Sequence, residues 1–378
     1  MAFRSSEMLQ RNELVRYQLD VTIRAPANGQ HQGKNGYEFT INDRSAFYDW
    51  YNAYFEIQFQ VQKLADGTAY GGGDRITVIS GSHSFINLIK SAGKIVYDTD
   101  NLHKVNFVKN LLEYSDDFSR SVGKNSLWYL DTNHQIANAN HNAGFEARRM
   151  LTVGNADVNV IIPVNRYSFF EVLEDTILIP MQLQFSITLQ NDDELIQKAD
   201  AADDGRVVLS RFLLWVPKLI PKDSLYHNFV SSVLKETKCS YLRSMYQMST
   251  PSQASGFYQI SASVDNVKHI FVYLQRNETN VVTENPYLFD SYKLNAADAN
   301  SYLTTCRLEY GNGIFYPETE YDTESKVRIF NDLMSYAQRR NDYNTGTQVN
   351  LANCNSLYGM IYFDLTNQQK KLQEIPNS

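Results

Sequence analysis

Tyr54-Phe55-Glu56-Ile57-Gln58-Phe59-Gln60-Val61-Gln62 alternates apolar and polar side chains without a break. A period of two puts Phe55, Ile57, Phe59 and Val61 on one face of an extended strand and the acid and amides on the other. Met181 to Gln190 repeats the pattern, with Met181, Leu183, Phe185, Ile187 and Leu189 set against Gln182, Gln184, Ser186, Thr188 and Gln190. Strands of this kind are half buried, and two of them predict a sandwich whose inner faces make the core.

Outward from these strands, the chain of 378 residues is long enough for about two domains. Hydrophobic residues make up 43% and charged residues 20%, as in folded proteins. The aromatic content of 13% leans toward β structure. The net charge of -7 is spread without a basic block, so a main role as a nucleic-acid coat or membrane-surface binder lacks its electrostatic footprint, and no direct sequence-specific nucleic-acid partner is expected. Cys239, Cys306 and Cys354 are far apart and odd in number, which gives neither a disulfide framework nor a metal pair and suits a reducing compartment. No apolar run of about 18 residues occurs, so no transmembrane segment is expected. Nor does the N-terminus read as a signal peptide.

Residues 1 to 18 read as an arm or short helix, with a strand near Leu19 to Arg24. Strands follow at Tyr37 to Ile41, Tyr54 to Gln62, Arg75 to Ile79 and Phe85 to Lys90, with an aromatic knot at Phe47 to Tyr51. A turn at Gly93, a resumed strand at Ile95-Val96-Tyr97 and helical spacing of Val105, Val108, Leu111 and Leu112 complete a pattern that recurs. Cys306 to Tyr310, the Gly311-Asn312-Gly313 turn, Ile314-Phe315-Tyr316 and the stripe Val327, Phe330, Leu333 and Met334 repeat it. Val105 with Val327, Leu111 with Leu333 and Tyr114 with Tyr336 share one constant separation along the chain, which predicts a duplicated β-rich unit.

Ser115 to Arg149 reads as an elaborated exposed loop, with strands at Met150 to Val153 and Asp157 to Pro163 and a bent segment at Tyr167 to Leu173. The acidic, Ala-rich stretch 192–205 is the expected linker between a first sandwich, 19–191, and a second, 206–378. The second opens with Arg206 to Pro217, then a helix at Ser224 to Lys235 and strands at Phe257 to Val264, Lys268 to Gln275 and Leu357 to Leu365. Its tail from Tyr336 to Ser378 is little more than half as long as the stretch from Tyr114 to Gln190 in the first unit. The second sandwich is therefore expected to be C-terminally incomplete.

The chemistry-bearing candidates are weak. Gly71-Gly72-Gly73 lacks the Gly-Lys-Ser/Thr ending of a phosphate loop and reads as a turn. Asp98-Thr99-Asp100-Asn101 begins like a calcium loop but has Lys109 where the bidentate acid belongs. Asp131, His134 and His141 match no helix face or hairpin spacing for a metal, and Asn277-Glu278-Thr279 is an isolated sequon. No nucleophile elbow and no zinc-protease motif is present, so no catalytic, cofactor or metal residue is assigned and no enzyme is expected. Asp192-Asp193-Glu194 reads as part of a solvated linker.

The layout resembles the double jelly-roll major capsid proteins of polintons, adintoviruses and the adenovirus hexon-like lineage of large DNA viruses. It does so through Tyr54 to Leu64 after Asp49-Trp50-Tyr51, the Asn106 to Ser115 helix, and Val160 to Phe170 leading to the Met181 strand. Val267 to Gln275, the Gly313-to-Pro317 corner and Tyr362-Phe363-Asp364-Leu365-Thr366 are similar to the family's second half. The resemblance implies an all-β fold with short helices, two tandem jelly-roll sandwiches, and a structural role without cofactor. It further implies a homotrimer of pseudo-hexagonal outline contacting neighbouring capsomers and a minor penton protein in an icosahedral virion assembled inside the host cell. The early ending departs from the family and leaves a host-captured homologue open. The alternative from another class is a β-sandwich binding module, lectin-like or receptor-binding, that uses the long polar loops.

Overall fold

A computed structural model of the chain describes residues 9–19, 36–41, 47–91, 94–97, 101–133, 142–174, 176–177, 183–198, 204–221, 241–250, 253, 255–260, 267–275, 287–289, 291, 302–310, 313–323, 326–340 and 346–366. The chain is all-β with short helices. It divides into unit 1 (Met1–Phe107, Val122–Asp131, Ile136–Tyr246) and unit 2 (Val108–Ser121, Thr132–Gln135, Gln247–Ser378).

The strands of unit 1 are β1 (Leu9–Leu19), β2 (Gly36–Ile41), β3 (Phe47–Tyr48), β4 (Tyr54–Lys63), β5 (Ile76–Val78), β6 (Ile86–Ser91), β7 (Lys94–Tyr97), β8 (Val158–Pro163), β9 (Leu183–Leu189), β10 (Ile196–Lys198) and β11 (Gly205–Pro221). One sheet has the order β1-β11-β4-β8, with β3 also on β11, and the other β2-β9-β6-β7; β5 pairs with β10 apart from both. All these pairs are antiparallel. Numbering the eight main strands along the chain gives 1-8-3-6 opposite 2-7-4-5. Every connection switches sheets except the β6–β7 hairpin, and that is the jelly-roll winding.

β4 shows why the sandwich forms. Its odd-numbered apolar residues are buried, and its polar residues are half buried on the outer face. There Trp215 Nε1 donates to Glu56 Oε2 (2.7 Å), Gln62 to Gln60 (2.9 Å) and Gln60 to Asp157 (2.9 Å). Inside, Phe39 of β2 meets Phe55 of β4 and Phe212 of β11 at 5.8 and 5.3 Å between ring centres, and Tyr37 meets Phe212 at 5.4 Å. Aromatic rings therefore fill the space between the two sheets.

β11 corrects the expected boundary. Sequence places Arg206 to Pro217 in the second sandwich, but β11 pairs along its length with β4 and with β1. It closes the first sandwich. Its alternation is hidden by a bulge: Val207 faces Val61 and Leu209 faces Phe59, then Ser210 is extra, and Phe212 faces Ile57 and Leu214 faces Phe55. One added residue moves the inward set from odd to even numbers. The arm expected at 1–18 is corrected likewise, because Leu9–Leu19 is a strand at the edge of this sheet. The strand expected near Leu19 to Arg24 otherwise lies outside the described residues.

The helices are α1 (Leu102–Glu113), α2 (Asp116–Arg120), α3 (Ala143–Thr152), α4 (Ser168–Glu171), α5 (Asp192–Leu195), α6 (Lys326–Arg340) and α7 (Leu351–Ser356). Ser115 to Arg149 is no plain exposed loop, since Trp128, Phe145 and Arg148 within it are buried. Met150 to Thr152 continues α3 instead of starting a strand; Asn142 caps that helix by accepting from the Phe145 amide. Between β9 and β11 stand α5 and β10 where a solvated linker is expected from sequence.

Unit 2 pairs β12 (His269–Val272) antiparallel with β15 (Ile361–Asp364), and β13 (Thr305–Tyr310) with β14 (Ile314–Asp322). α6 packs on the first pair through Tyr336, whose ring lies 5.0 Å from Phe271 and 5.5 Å from Tyr362. With β5 and α2 left out, the order strand, hairpin, helix, helix, returning strand occurs twice along the chain: first β4, β6–β7, α1, α3, β8, in which the second half of α1 (Val108–Glu113) belongs to unit 2, and then β12, β13–β14, α6, α7, β15. In both, the last strand of that series pairs antiparallel with its first.

The repeat holds by element and not side chain by side chain. Leu111 and Leu333 are both buried, as are Tyr114 and Tyr336, but Val105 is half buried and Val327 is 67% exposed. The buried stripe of α6 is Ile329, Leu333, Tyr336 and Ala337, rotated from the expected one. Phe257 to Ile260 is exposed and not in a strand, while 261–264 and the helix expected at Ser224 to Lys235 lie outside the described residues.

Candidate functional site

Three groups of polar side chains stand out in unit 1. The first is centred on Arg148. Phe145, Arg148 and Thr152 fall at helical spacing on α3, so the arginine sits on the buried face and is fully enclosed. It donates Nε to the Val78 carbonyl (2.9 Å), Nη1 to the Tyr129 carbonyl, and Nη2 to both Asp131 oxygens (2.9 and 3.2 Å) and to Gln197 Oε1 (2.7 Å). A buried guanidinium with its carboxylate and amide ties α3, β5, β10 and the segment before α3 into one knot. The guanidinium is spent on protein partners, so its chemistry is mechanical.

The second group surrounds His83. Its ring lies 5.6 Å from Trp128 and 6.3 Å from Phe107, and Gly81 just before it has φ of 87°. A Cβ at Gly81 would collide with His83 Cε1, so glycine is required both by the left-handed backbone and by the close ring. Burial pulls the imidazole down to about 3, with His103 and Arg166 adding to the shift. At neutral pH the ring is uncharged.

The third is α5, the acidic run. Glu194 accepts from Gln190 Nε2 (2.5 Å) and faces His103 Nε2 at 3.3 Å, and the His103 contact holds its carboxyl below the ordinary range. Asp192 accepts from the Val207 amide (3.2 Å) at the start of β11. Burial pushes its carboxyl up to about 7, reinforced by Asp193 and opposed by the Val207 hydrogen bond and Arg206.

A raised folded-state pKa means the folded chain holds this proton more tightly than the unfolded chain. Stability from it is present below about pH 4 and is lost as pH rises toward 7. Asp192→Asn keeps the acceptor and removes the charge. It is expected to match the parent in urea unfolding at pH 4 and to exceed it by on the order of 2 kcal/mol at pH 8, a figure discounted for partial exposure.

In unit 2, Tyr321 donates to Asp332 Oδ2 (2.7 Å), and burial followed by that contact raises its phenol. His269 Nδ1 lies 2.8 Å from the Tyr362 hydroxyl, and Tyr336 donates to Glu113 Oε1 (2.9 Å). Burial pushes the thiols of Cys306 and Cys354 up to about 11, away from nucleophilic character.

Of the residues weighed from sequence, Asp131 is Arg148's partner, while His134, His141, Cys239, Asp98 to Asp100 and Asn277 to Thr279 lie outside the described residues. Gly71 to Gly73 forms a turn, the Gly71 amide donating to Asp74 Oδ2 (2.8 Å) and Arg149 Nη1 to the Gly72 carbonyl (2.8 Å). Among the described residues, no three His, Cys, Asp or Glu side chains gather to hold a metal, and no helix is long and apolar enough to cross a membrane. Sequence reasoning misses the Arg148 knot; its one signal is an arginine on the apolar stripe of a short helix.

No family model matches the chain, and no curated protein does. Among solved structures, a chain from the 3.5 Å cryo-electron microscopy structure of the Sputnik virophage aligns with a TM-score of 0.38 and 8% identity. The alignment covers 59% of this chain and 50% of that one.

Proposed function

We propose that this chain is a structural capsid subunit without catalytic activity, three copies of which form a capsomer of pseudo-hexagonal outline. The observation that carries the reading is the pairing of a complete jelly-roll winding in unit 1 with a second unit that repeats its strand, hairpin, helix and returning-strand order. Jelly rolls serve capsids, lectins and cupins. A capsid wall needs a solid sandwich, and the interior of unit 1 is filled by Tyr37, Phe39, Phe55, Phe59, Phe85 and Phe212. Two sandwiches per chain give six per trimer, which suits packing into an icosahedral shell with other capsomers and a vertex protein.

The surface supports assembly as well. Met248, Phe257, Tyr258, Ile260, Ile314 and Val327 of unit 2 are large apolar residues left exposed, Phe257 at 85%. Where exposed apolar residues join into one patch they mark a contact surface. Mass determination on the purified chain in solution tests the reading: a stable trimer is expected. A monomer that binds glycans would replace it with a lectin-like module. In infected or element-bearing cells the protein belongs with assembled particles.

A further inference from the structure

The β13–β14 hairpin of unit 2 has one edge in use and one that is unpaired among the described residues. In unit 1 the corresponding hairpin is capped: β6 pairs with β7 on one side and with β9 on the other, from Ile86 with Leu189 to Ser91 with Phe185. β13 pairs with β14, and no described residue pairs with its other edge. Part of the hairpin is open to solvent, although Tyr321 is buried and Leu308 is half buried. Thr305, Arg307 and Glu309 of β13 are exposed, as are Ile314 (61%) and Phe315 (37%) of β14. A two-stranded ribbon is marginal alone, and an open edge with unpaired amides and carbonyls is a template for another strand.

The side chains on this edge select the partner. Arg307 and Glu309 flank Leu308 and, being two residues apart, point to the same face. There the Arg307 guanidinium lies over the Phe315 ring at 3.9 Å. A strand carrying one sign of charge repels its own copy. This one carries one of each. If two β13 strands meet antiparallel about Leu308, each Arg307 stands opposite the other chain's Glu309, so both pairs are satisfied by one two-fold axis. A one-residue slip puts Arg307 opposite Leu308 and loses both.

We propose that the edge of β13 left unpaired among the described residues docks on β13 of a second copy of this chain, antiparallel and centred on Leu308, as a two-fold contact. It is separate from the trimer and does not need it: a two-fold contact joins chains in pairs, whether single or already grouped in threes. The occupant is chosen by charge complementarity and by the open ladder, and neither depends on the capsid reading.

Directly opposed residues of an antiparallel pair have Cα atoms about 4.5 to 5.5 Å apart, inside the range a disulfide spans. The full-length Leu308→Cys variant under mild oxidation is therefore expected to give a two-chain species on a non-reducing gel. Thr305→Cys and the parent, which has its own three cysteines, are expected to stay single. Arg307→Glu sets like charges opposite each other and is expected to weaken association about tenfold by sedimentation, while adding Glu309→Arg restores the parent value. Failure to cross-link at Leu308, cross-linking equally at Thr305, or no rescue by the double reversal each overturns the contact. A trimer with no Leu308 cross-link would sink this inference and leave the capsomer standing; a cross-linked pair from a chain that never trimerises would do the opposite.

Discussion

Replacing Arg148 with methionine is expected to remove about 3 to 5 kcal/mol from the stability of unit 1, the cost of leaving a buried carboxylate without its cation. Asp131 is 2% exposed, and its guanidinium partner is fully enclosed, so water cannot take over. The Val78 and Tyr129 carbonyls lose a donor in the same step. Methionine fills most of the arginine's volume, which keeps a cavity from dominating the result. Urea unfolding followed by near-ultraviolet circular dichroism reads the change. Adding Asp131→Asn should return part of the loss, because the cost comes from the stranded charge and not from the missing side chain. A single-variant loss under about 1 kcal/mol, or no coupling in the double variant, would show that this knot does not hold α3 to β5 and β10.

That knot also marks the limit of what one-dimensional patterning conveys. β4 and β9 are legible because each has one face to the core and one away from it, and period-two alternation encodes that difference directly. The hairpin-and-helix unit is legible twice for a related reason, with turn residues bracketing each hairpin and apolar spacing shifting from two to between three and four. α6 is legible as a helix, but its inward face is not. Val327, Ile329, Phe330, Leu333, Met334 and Tyr336 cover more than half of the helix circumference, and only the packing partners Phe271 and Tyr362 decide which stripe goes inward. The end of α3 reads as a strand because the β-branched Thr152 and Val153 favour extended structure locally. The capped helix and its buried Phe145 and Arg148 overrule them. Asp131, Arg148 and Gln197 meet only through tertiary structure, and nothing in their spacing announces it. The acidic run resembles a linker because charge normally means solvent, yet Asp192 is held at β11 by the Val207 amide.

The misplaced boundary has a single cause, and it leads to the second large effect. Deleting Ser210 is expected to destabilise unit 1 by about 3 to 6 kcal/mol, the cost of turning two or three large apolar side chains from core to solvent. With Ser210 present, Val207 and Leu209 precede the bulge and Phe212, Leu214 and Val216 follow it, and all five are buried. Without it the strand is continuous and side chains must alternate throughout, so either the first two or the last three point outward. Ser210 itself is exposed and contributes a hydroxyl hydrogen bond to the Gln58 carbonyl at 3.3 Å. Ser210→Ala should therefore cost under about 0.5 kcal/mol. Comparing the deletion with the substitution in urea separates the extra residue from its side chain. Equal, small losses in both would mean that β11 can slide along β4, and the winding that places it between β1 and β4 would then not be what keeps the first sandwich closed.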